Sequence, residues 1–176
     1  SDNTWVKISA AFNHTLGVKK DNTLWSWGSN WYGQLGHGDT EVRKSPTRVG
    51  IQSNWATVST SKSHSLGLRT NGSLWPWGLN DKGQLGNGTT TQTLVPGIIG
   101  YDYDWKEVFA ANNYSLALKT NGTLWGWGDN SFYQLGSGVK TSRTEPAQIG
   151  SAMDWKDIDA APFYAVGIKT DGSIWV

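Results

Sequence analysis

His14-Thr15-Leu16-Gly17-Val18-Lys19-Lys20-Asp21-Asn22-Thr23-Leu24-Trp25-Ser26-Trp27-Gly28 decides the fold, because the chain repeats it at a fixed step. Fifty residues on it reads His64-Ser65-Leu66-Gly67-Leu68-Arg69, then Asn71-Gly72, then Leu74-Trp75-Pro76-Trp77-Gly78. The third copy runs Tyr114-Ser115-Leu116-Ala117-Leu118-Lys119, Asn121-Gly122, Leu124-Trp125-Gly126-Trp127-Gly128, and a fourth stops within the pattern at Ile174-Trp175-Val176. Each copy is two short apolar segments around a turn. Asn-Gly and Asp-Gly accept the positive φ of a type I′ turn, so each predicts a tight antiparallel hairpin. Two tryptophans two residues apart fall on one face of their strand.

The same period extends outward on both sides. Trp5, Trp55, Trp105 and Trp155 open a preceding segment, as in Trp5-Val6-Lys7-Ile8-Ser9-Ala10, whose alternation predicts a strand. After the hairpin come Asn30-x-x-Gly33-Gln34-Leu35-Gly36, Asn80-x-x-Gly83-Gln84-Leu85-Gly86 and Asn130-Ser131-Phe132-Tyr133-Gln134-Leu135-Gly136, which predict a long loop. A Pro-led segment, Pro46-Thr47-Arg48-Val49 in the first copy, closes the unit, and proline there suits an edge strand. The chain is therefore one repeat domain, 1–176, with units 5–54, 55–104, 105–154 and a partial 155–176. Three strands plus a possible fourth, repeated with no helical pattern, indicate a propeller or a β-solenoid. Solenoid coils run about 20–25 residues and blades about 40–50, and hairpin turns require antiparallel pairing, so the expected fold is all-β, with propeller blades of three to four antiparallel strands.

Composition narrows function. Lys and Arg number 15 against 14 Asp and Glu, so the basic excess that phosphate binding needs is missing and no nucleic-acid partner is expected. No apolar run is long enough for a membrane-spanning helix, so no membrane insertion is expected. Cysteine is absent, which removes disulfides and thiolate chemistry. His14 and His64 share a slot that Tyr114 and Tyr164 fill in the other copies; a metal ligand does not alternate with tyrosine, so these are read as core hydrogen-bonding rings. No nucleophile and base, and no carboxylate pair, gather at one place, so no enzyme, metal or cofactor is expected. Low charge with abundant Asn, Ser, Thr and Trp suits an extracellular or cell-surface, bacterial setting.

The combined string, His-Thr-Leu-Gly-Val, Asp/Asn-Gly turn, Leu-Trp-x-Trp-Gly-x-Asn and Gly-Gln-Leu-Gly, resembles the repeat of the regulator of chromosome condensation family over practically the whole chain. That resemblance implies seven-bladed propellers that present loops to other macromolecules. Similar repeats occur in a nucleotide-exchange factor for the small GTPase Ran, in ubiquitin-ligase scaffolds, in a bacterial inhibitor of β-lactamases and in bacterial surface proteins. One departure stands out. Many family repeats carry two glycines after the first strand, where this chain has Ala11-Phe12, Ser61-Lys62, Ala111-Asn112 and Ala161-Pro162.

Candidate binding residues are those that vary against the constant frame. Phe12, Asn13, Lys62, Asn112, Asn113 and Phe163 fall after the first strand; Trp31, Tyr32, Asp81, Lys82, Phe132 and Tyr133 fall in the long loop. Equivalent slots lie on one propeller face, and a mosaic of aromatic, amide and charged groups there suits recognition of a protein, or else a glycan. The periodic tryptophans are read as packing, whereas Trp31 occurs once and is the leading single contact candidate. A non-catalytic protein-binding module is the first expectation, a lectin using Trp31 and Tyr32 the second, and an exchange factor for a small GTPase the third. Four units make about half of a seven- or eight-bladed ring, to be completed by self-association or further sequence.

Overall fold

The computed structural model describes residues 4–176, and among them every regular element is a strand. Blade 1 is β1 (Trp5–Ala11), β2 (His14–Lys19), β3 (Leu24–Gly28) and β4 (Arg43–Arg48), hydrogen-bonded in that order. Blade 2 is β5 (Trp55–Thr60), β6 (His64–Arg69) and β7 (Leu74–Gly78). Blade 3 is β8 (Trp105–Ala110), β9 (Tyr114–Lys119), β10 (Leu124–Gly128) and β11 (Arg143–Gln148). Blade 4 is β12 (Trp155–Ala160), β13 (Ala165–Lys169) and β14 (Ile174–Trp175). All pairings are antiparallel, and a bulge follows the leading tryptophan in every first strand.

The hairpin turns differ from the expected type I′. Lys19 N–H donates to the Thr23 carbonyl and Asn22 N–H to the Lys19 carbonyl, which makes a three-residue loop. Positive φ occurs at Asn22, Gly72, Gly122 and Gly172 but not at the residue before each. That is a type I turn followed by one left-handed residue. The cause is the first side chain: Asp21 Oδ1 accepts both the Thr23 N–H (3.1 Å) and its hydroxyl (2.7 Å), and Asn71 and Asn121 repeat this with Ser73 and Thr123. Such side-chain turns hold the Asp or Asn backbone in an ordinary right-handed conformation.

The fourth strand also differs in detail. It starts three residues before the proline, so Pro46 and Pro146 lie inside β4 and β11. Blade 2 has only a Gly78–Thr93 bridge at that place. Pro76 explains the difference. Its carbonyl accepts from Gly97 N–H at 3.3 Å, but its ring nitrogen has no hydrogen to return to the rim, and the ladder lapses.

Blades pack face to face through three apolar clusters. Leu16, Val18, Leu24 and Val49 of blade 1 meet Trp55, Val58 and Trp77 of blade 2. Leu66, Leu68, Leu74 and Ile99 meet Trp105, Val108 and Trp127, and Leu116, Leu118, Leu124, Leu135 and Ile149 meet Ile158 and Trp155. The four blades form an open row. Ile8 is 61% exposed where its equivalent Val58 is 8%, and Ile174 is 69% exposed where Leu24 is fully buried. The outward faces of blades 1 and 4 are thus the two halves of the same kind of contact.

Candidate functional site

Within a blade, the turn after the first strand and the start of the long loop lie at the same end. β2 and β3 are antiparallel with His14 opposite Gly28, and Ser29 N–H donates to the Asn13 carbonyl at 2.8 Å. Leu79 to Ser63 and Asp129 to Asn113 repeat the stitch at 2.9 Å. The variable slots therefore do share one face.

The long loop is held by two buried amides. Asn30 Oδ1 accepts Leu35 N–H at 2.9 Å and its Nδ2 donates to the Asp39 carbonyl at 2.9 Å, while Gln34 Oε1 accepts Tyr32 N–H. Asn80 with Gln84, and Asn130 with Gln134, do the same, their Nδ2 groups donating to the Thr89 and Val139 carbonyls. Each amide supplies bonds that an irregular backbone would otherwise lack, which is why Asn-x-x-Gly-Gln-Leu-Gly folds one way.

That frame pushes the variable side chains outward. Phe12 is 74% and Trp31 70% exposed; Tyr32, Phe132, Tyr133 and Phe163 are exposed as well. Asn13, Lys62, Asp81 and Lys82 are exposed, and Asn112 and Asn113 half-buried. Phe132 of the blade 3 loop meets Phe163 of the blade 4 turn edge-on, with ring centroids 5.5 Å apart. There the long loop of blade 3 reaches the first turn of blade 4, and the mosaic is continuous across that boundary. Two of these aromatics sit on backbone that disfavours them: Phe12 at φ 48° and Tyr133 at φ 63°. Gly33 and Gly83 fill the slot of Tyr133 in the other loops, and there the fourth-strand region of the next blade comes so close that a Cβ would stand 2.5 Å from Leu94 Cδ2 or 2.9 Å from the Arg143 carbonyl.

Beneath the mosaic, the interfaces are tied by polar relays. Gln34 carbonyl accepts Trp77 Nε1–H at 2.7 Å and the Ser65 hydroxyl at 2.9 Å; Gln84 carbonyl accepts Trp127 and Ser115 at 2.9 and 2.8 Å. Having given its proton away, each serine oxygen accepts Nε2–H of the preceding blade's histidine, His14 at 3.1 Å and His64 at 2.9 Å. Burial holds both rings neutral, lowering His14 to about 4 and His64 to about 3. Tyr114 replaces the relay with bonds to the Ala161 and Tyr164 carbonyls, both 2.7 Å, and Ala165 stands where serine was. Burial and the nearby Asp159 raise the Tyr114 phenol above its ordinary range.

At the other end of each strand pair, a cation sits over the tryptophans. Lys19 lies 4.2 Å from the Trp25 centroid, Arg69 3.4 Å from Trp75, and Lys119 and Lys169 4.6 and 4.9 Å from Trp125 and Trp175. Sequence reasoning missed this stack, although a basic residue at each of positions 19, 69, 119 and 169 was the available signal. Cation–π contacts of this kind are worth roughly 0.5–2 kcal/mol each.

Comparison with known proteins agrees with the geometry. The family model described as "Regulator of chromosome condensation (RCC1) repeat" matches residues 21–68, 71–118 and 121–166, and a second model of the same description matches 5–34, 55–84 and 105–134. The chain is 45% identical over 42 residues to the ultraviolet-B receptor UVR8 of Arabidopsis thaliana and 47% over 36 residues to human protein RCC2. Those stretches are 24% and 20% of this chain but only 10% and 7% of the relatives. In three dimensions it resembles Prp20p of Saccharomyces cerevisiae, with a TM-score of 0.83 at 25% identity over 94% of this chain and 44% of that one. Human WBSCR16 matches at 0.85 and 21% identity, over 97% and 46%, a likeness of fold. The chain spans less than half the length of each. With the repeat models covering most of its residues and its blades superposing on those of known propellers, this chain belongs to the family of RCC1-repeat β-propellers.

Proposed function

We propose that this propeller is a non-catalytic interaction module that binds a protein partner through the loop face carrying Phe12, Trp31, Tyr32, Phe132, Tyr133 and Phe163. One observation carries the proposal: large aromatic side chains project from loops whose backbone is internally fixed, and two of them, Phe12 and Tyr133, do so at positive φ. Non-glycine residues in that conformation cost on the order of 1 kcal/mol and persist where something other than local stability favours them. Rigid aromatics surrounded by amides and a few charges bind with little loss of side-chain freedom. Solved relatives point the same way, since Prp20p is described with binding properties to Gsp1p and histones and in a complex with Kap60.

The test is capture of partners by the immobilised chain, wild type against Trp31→Ala and a Phe132→Ala/Phe163→Ala pair. Capture should fall at least tenfold in the variants while the thermal midpoint moves little, because these side chains are exposed. The extreme exposure of Trp31 favours one second reading, a lectin that stacks a sugar on this ring. Saturable binding on a glycan array, lost in Trp31→Ala, would select it. Accelerated nucleotide release from a small GTPase would instead select an exchange factor.

A further inference from the structure

Each blade carries one cation over its tryptophans, but what neutralises that cation differs between blades. Lys119 meets Asp102 at 2.7 Å and Asp104 at 3.1 Å, and Lys169 meets Asp154 at 3.1 Å. Fifty residues before Asp102 and Asp104 stand Gln52 and Asn54, so the repeat gives Arg69 two neutral amides in place of the acids. Among the described residues the Arg69 guanidinium has no hydrogen-bond or ion-pair partner, only the Trp75 ring at 3.4 Å and the Trp55 ring at 5.1 Å. Its Nε and the Asn54 Oδ1 are both buried without a partner. Desolvation pulls both cations down, but at Lys119 the bonds and charges of Asp102 and Asp104 outweigh it and the pKa ends raised. At Arg69 desolvation acts alone and the pKa is lowered. Arginine stays protonated all the same, so blade 2 holds one uncompensated positive charge.

Arg69 lines a cavity of about 370 Å³ between blades 2 and 3, at the hairpin-turn end and so opposite the loop face. Blade 2 supplies Thr57 on β5, Arg69 at the end of β6 and Thr70 in the turn after it. Lys106 on β8 and Thr120 after β9 face them from blade 3, with Tyr103 on the segment that joins the blades. The hydroxyls of Thr57, Thr70, Tyr103 and Thr120 make no hydrogen bond to another group among the described residues. Lys106 is tied loosely to Glu107, 3.6 Å away, with both side chains exposed. The lining thus holds two cations and four hydroxyls, and no carboxylate.

We infer that this cavity binds a tetrahedral oxyanion, a phosphate or sulfate group, anchored by Arg69 and enclosed by Lys106 and the threonine hydroxyls. The stack on Trp75 and Trp55 fixes the guanidinium before an anion arrives, and its planar fork suits an oxyanion better than the ammonium that blades 3 and 4 carry. The donors come from several segments on both blades and so surround the space. A tetrahedral group has oxygens enough to meet them, whereas a flat carboxylate has two. Blade 3 is the internal counterpart: there Asp102 and Asp104 are the anion, supplied by the chain itself. The assignment is independent of what the loop face binds.

Isothermal titration at constant ionic strength, with sodium chloride as the reference salt, tests it. Inorganic phosphate and sulfate should bind saturably at one site, and acetate at least about tenfold more weakly. The double variant Gln52→Asp/Asn54→Asp gives blade 2 the acids that blade 3 uses. It should keep or raise the thermal midpoint, which shows that it folds, and weaken phosphate at least about tenfold. Lys106→Ala, at an exposed side chain, should leave the midpoint unmoved and weaken phosphate about fivefold. A site for an esterified phosphate binds glycerol 3-phosphate more tightly than inorganic phosphate and a site for the free ion does the reverse; either order supports the assignment. Phosphate binding undiminished in the double variant overturns it, as does acetate binding as tight as phosphate or the lack of any saturable heat beyond that of chloride.

Discussion

His64 Nε2 stands 2.9 Å from Ser115 Oγ, across the interface between the second and third blades, and the two residues form a matched pair rather than a chance contact. Where the facing residue is serine the ring is histidine, at positions 14 and 64; where it is Ala165 the ring is Tyr114. Either His64→Tyr or Ser115→Ala alone should destabilise by roughly 1–3 kcal/mol, since each strands a buried polar group or forces a clash. Made together, they recreate the Tyr114–Ala165 arrangement, and the double variant should recover at least half of the summed loss. A double-mutant cycle by urea unfolding measures this; simple additivity would refute the matched pair.

Acid should unfold the chain through the same histidines. Both have folded-state pKa values lowered by burial, to about 4 and about 3, against an ordinary value near 6.5. The unfolded chain therefore binds more protons between these limits, so stability is full above about pH 6.5 and falls as pH drops. Between about pH 6 and 4 the two together remove roughly 2 kcal/mol per pH unit, enough to matter for a domain of ordinary stability. The check is the urea midpoint from pH 7.5 to 4.5, with the double variant His64→Tyr/Ser115→Ala reducing the slope by about half.

Trp127 separates the contribution of the ring from that of its N–H. Trp127→Phe keeps most of the buried apolar surface and leaves the Gln84 carbonyl with only the Ser115 hydroxyl, for an expected loss of roughly 1–2 kcal/mol. Trp127→Ala should cost about 3–5 kcal/mol. Chemical denaturation of both variants checks the difference.

Phe12 offers a trade between stability and binding. Phe12→Gly relieves a positive φ at a side chain that touches little, so it should leave the fold as stable or raise it by up to about 1 kcal/mol. Partner capture should nevertheless weaken. A variant both less stable and fully able to bind would contradict the role given to this residue.

The outward faces of the row should meet. Trp5 and Ile8 on blade 1 are equivalent to Trp55 and Val58, and Val166, Ile168 and Ile174 on blade 4 to Leu16, Val18 and Leu24. Light scattering at micromolar concentration should show species above 19.3 kDa, and Ile174→Asp should abolish them. A strictly monomeric wild type would sink the expectation.

The strand order and the blade architecture were legible because the tryptophans repeat without insertion. The grouping of variable slots on one face was legible too, since hairpin geometry alone puts residues 12–13 and 31–32 at one end. Other features were not. Backbone preference alone points to a type I′ turn at Asp21-Asn22, because it takes no account of the Asp21–Thr23 side-chain bonds. Pro76 reads as an ordinary strand residue until its carbonyl is seen facing the rim. The Gln34 and Gln84 carbonyls, the main polar anchors between blades, are backbone atoms and leave no mark on residue type. Alternation places residue 19 correctly on a strand but says nothing of which ring its cation covers.

The Gln34 carbonyl also sets where one cooperative unit ends. Its loop belongs to blade 1 in the chain, yet it is gripped by Trp77 and Ser65 of blade 2, and Gly38 N–H is bonded to Leu94. Strand pairing divides the molecule at one set of residues, and energetic dependence divides it half a period later. Amides of loop 30–38 should accordingly exchange with solvent at the pace of the second blade's opening, and a lesion in β7 should loosen the binding loop upstream of it.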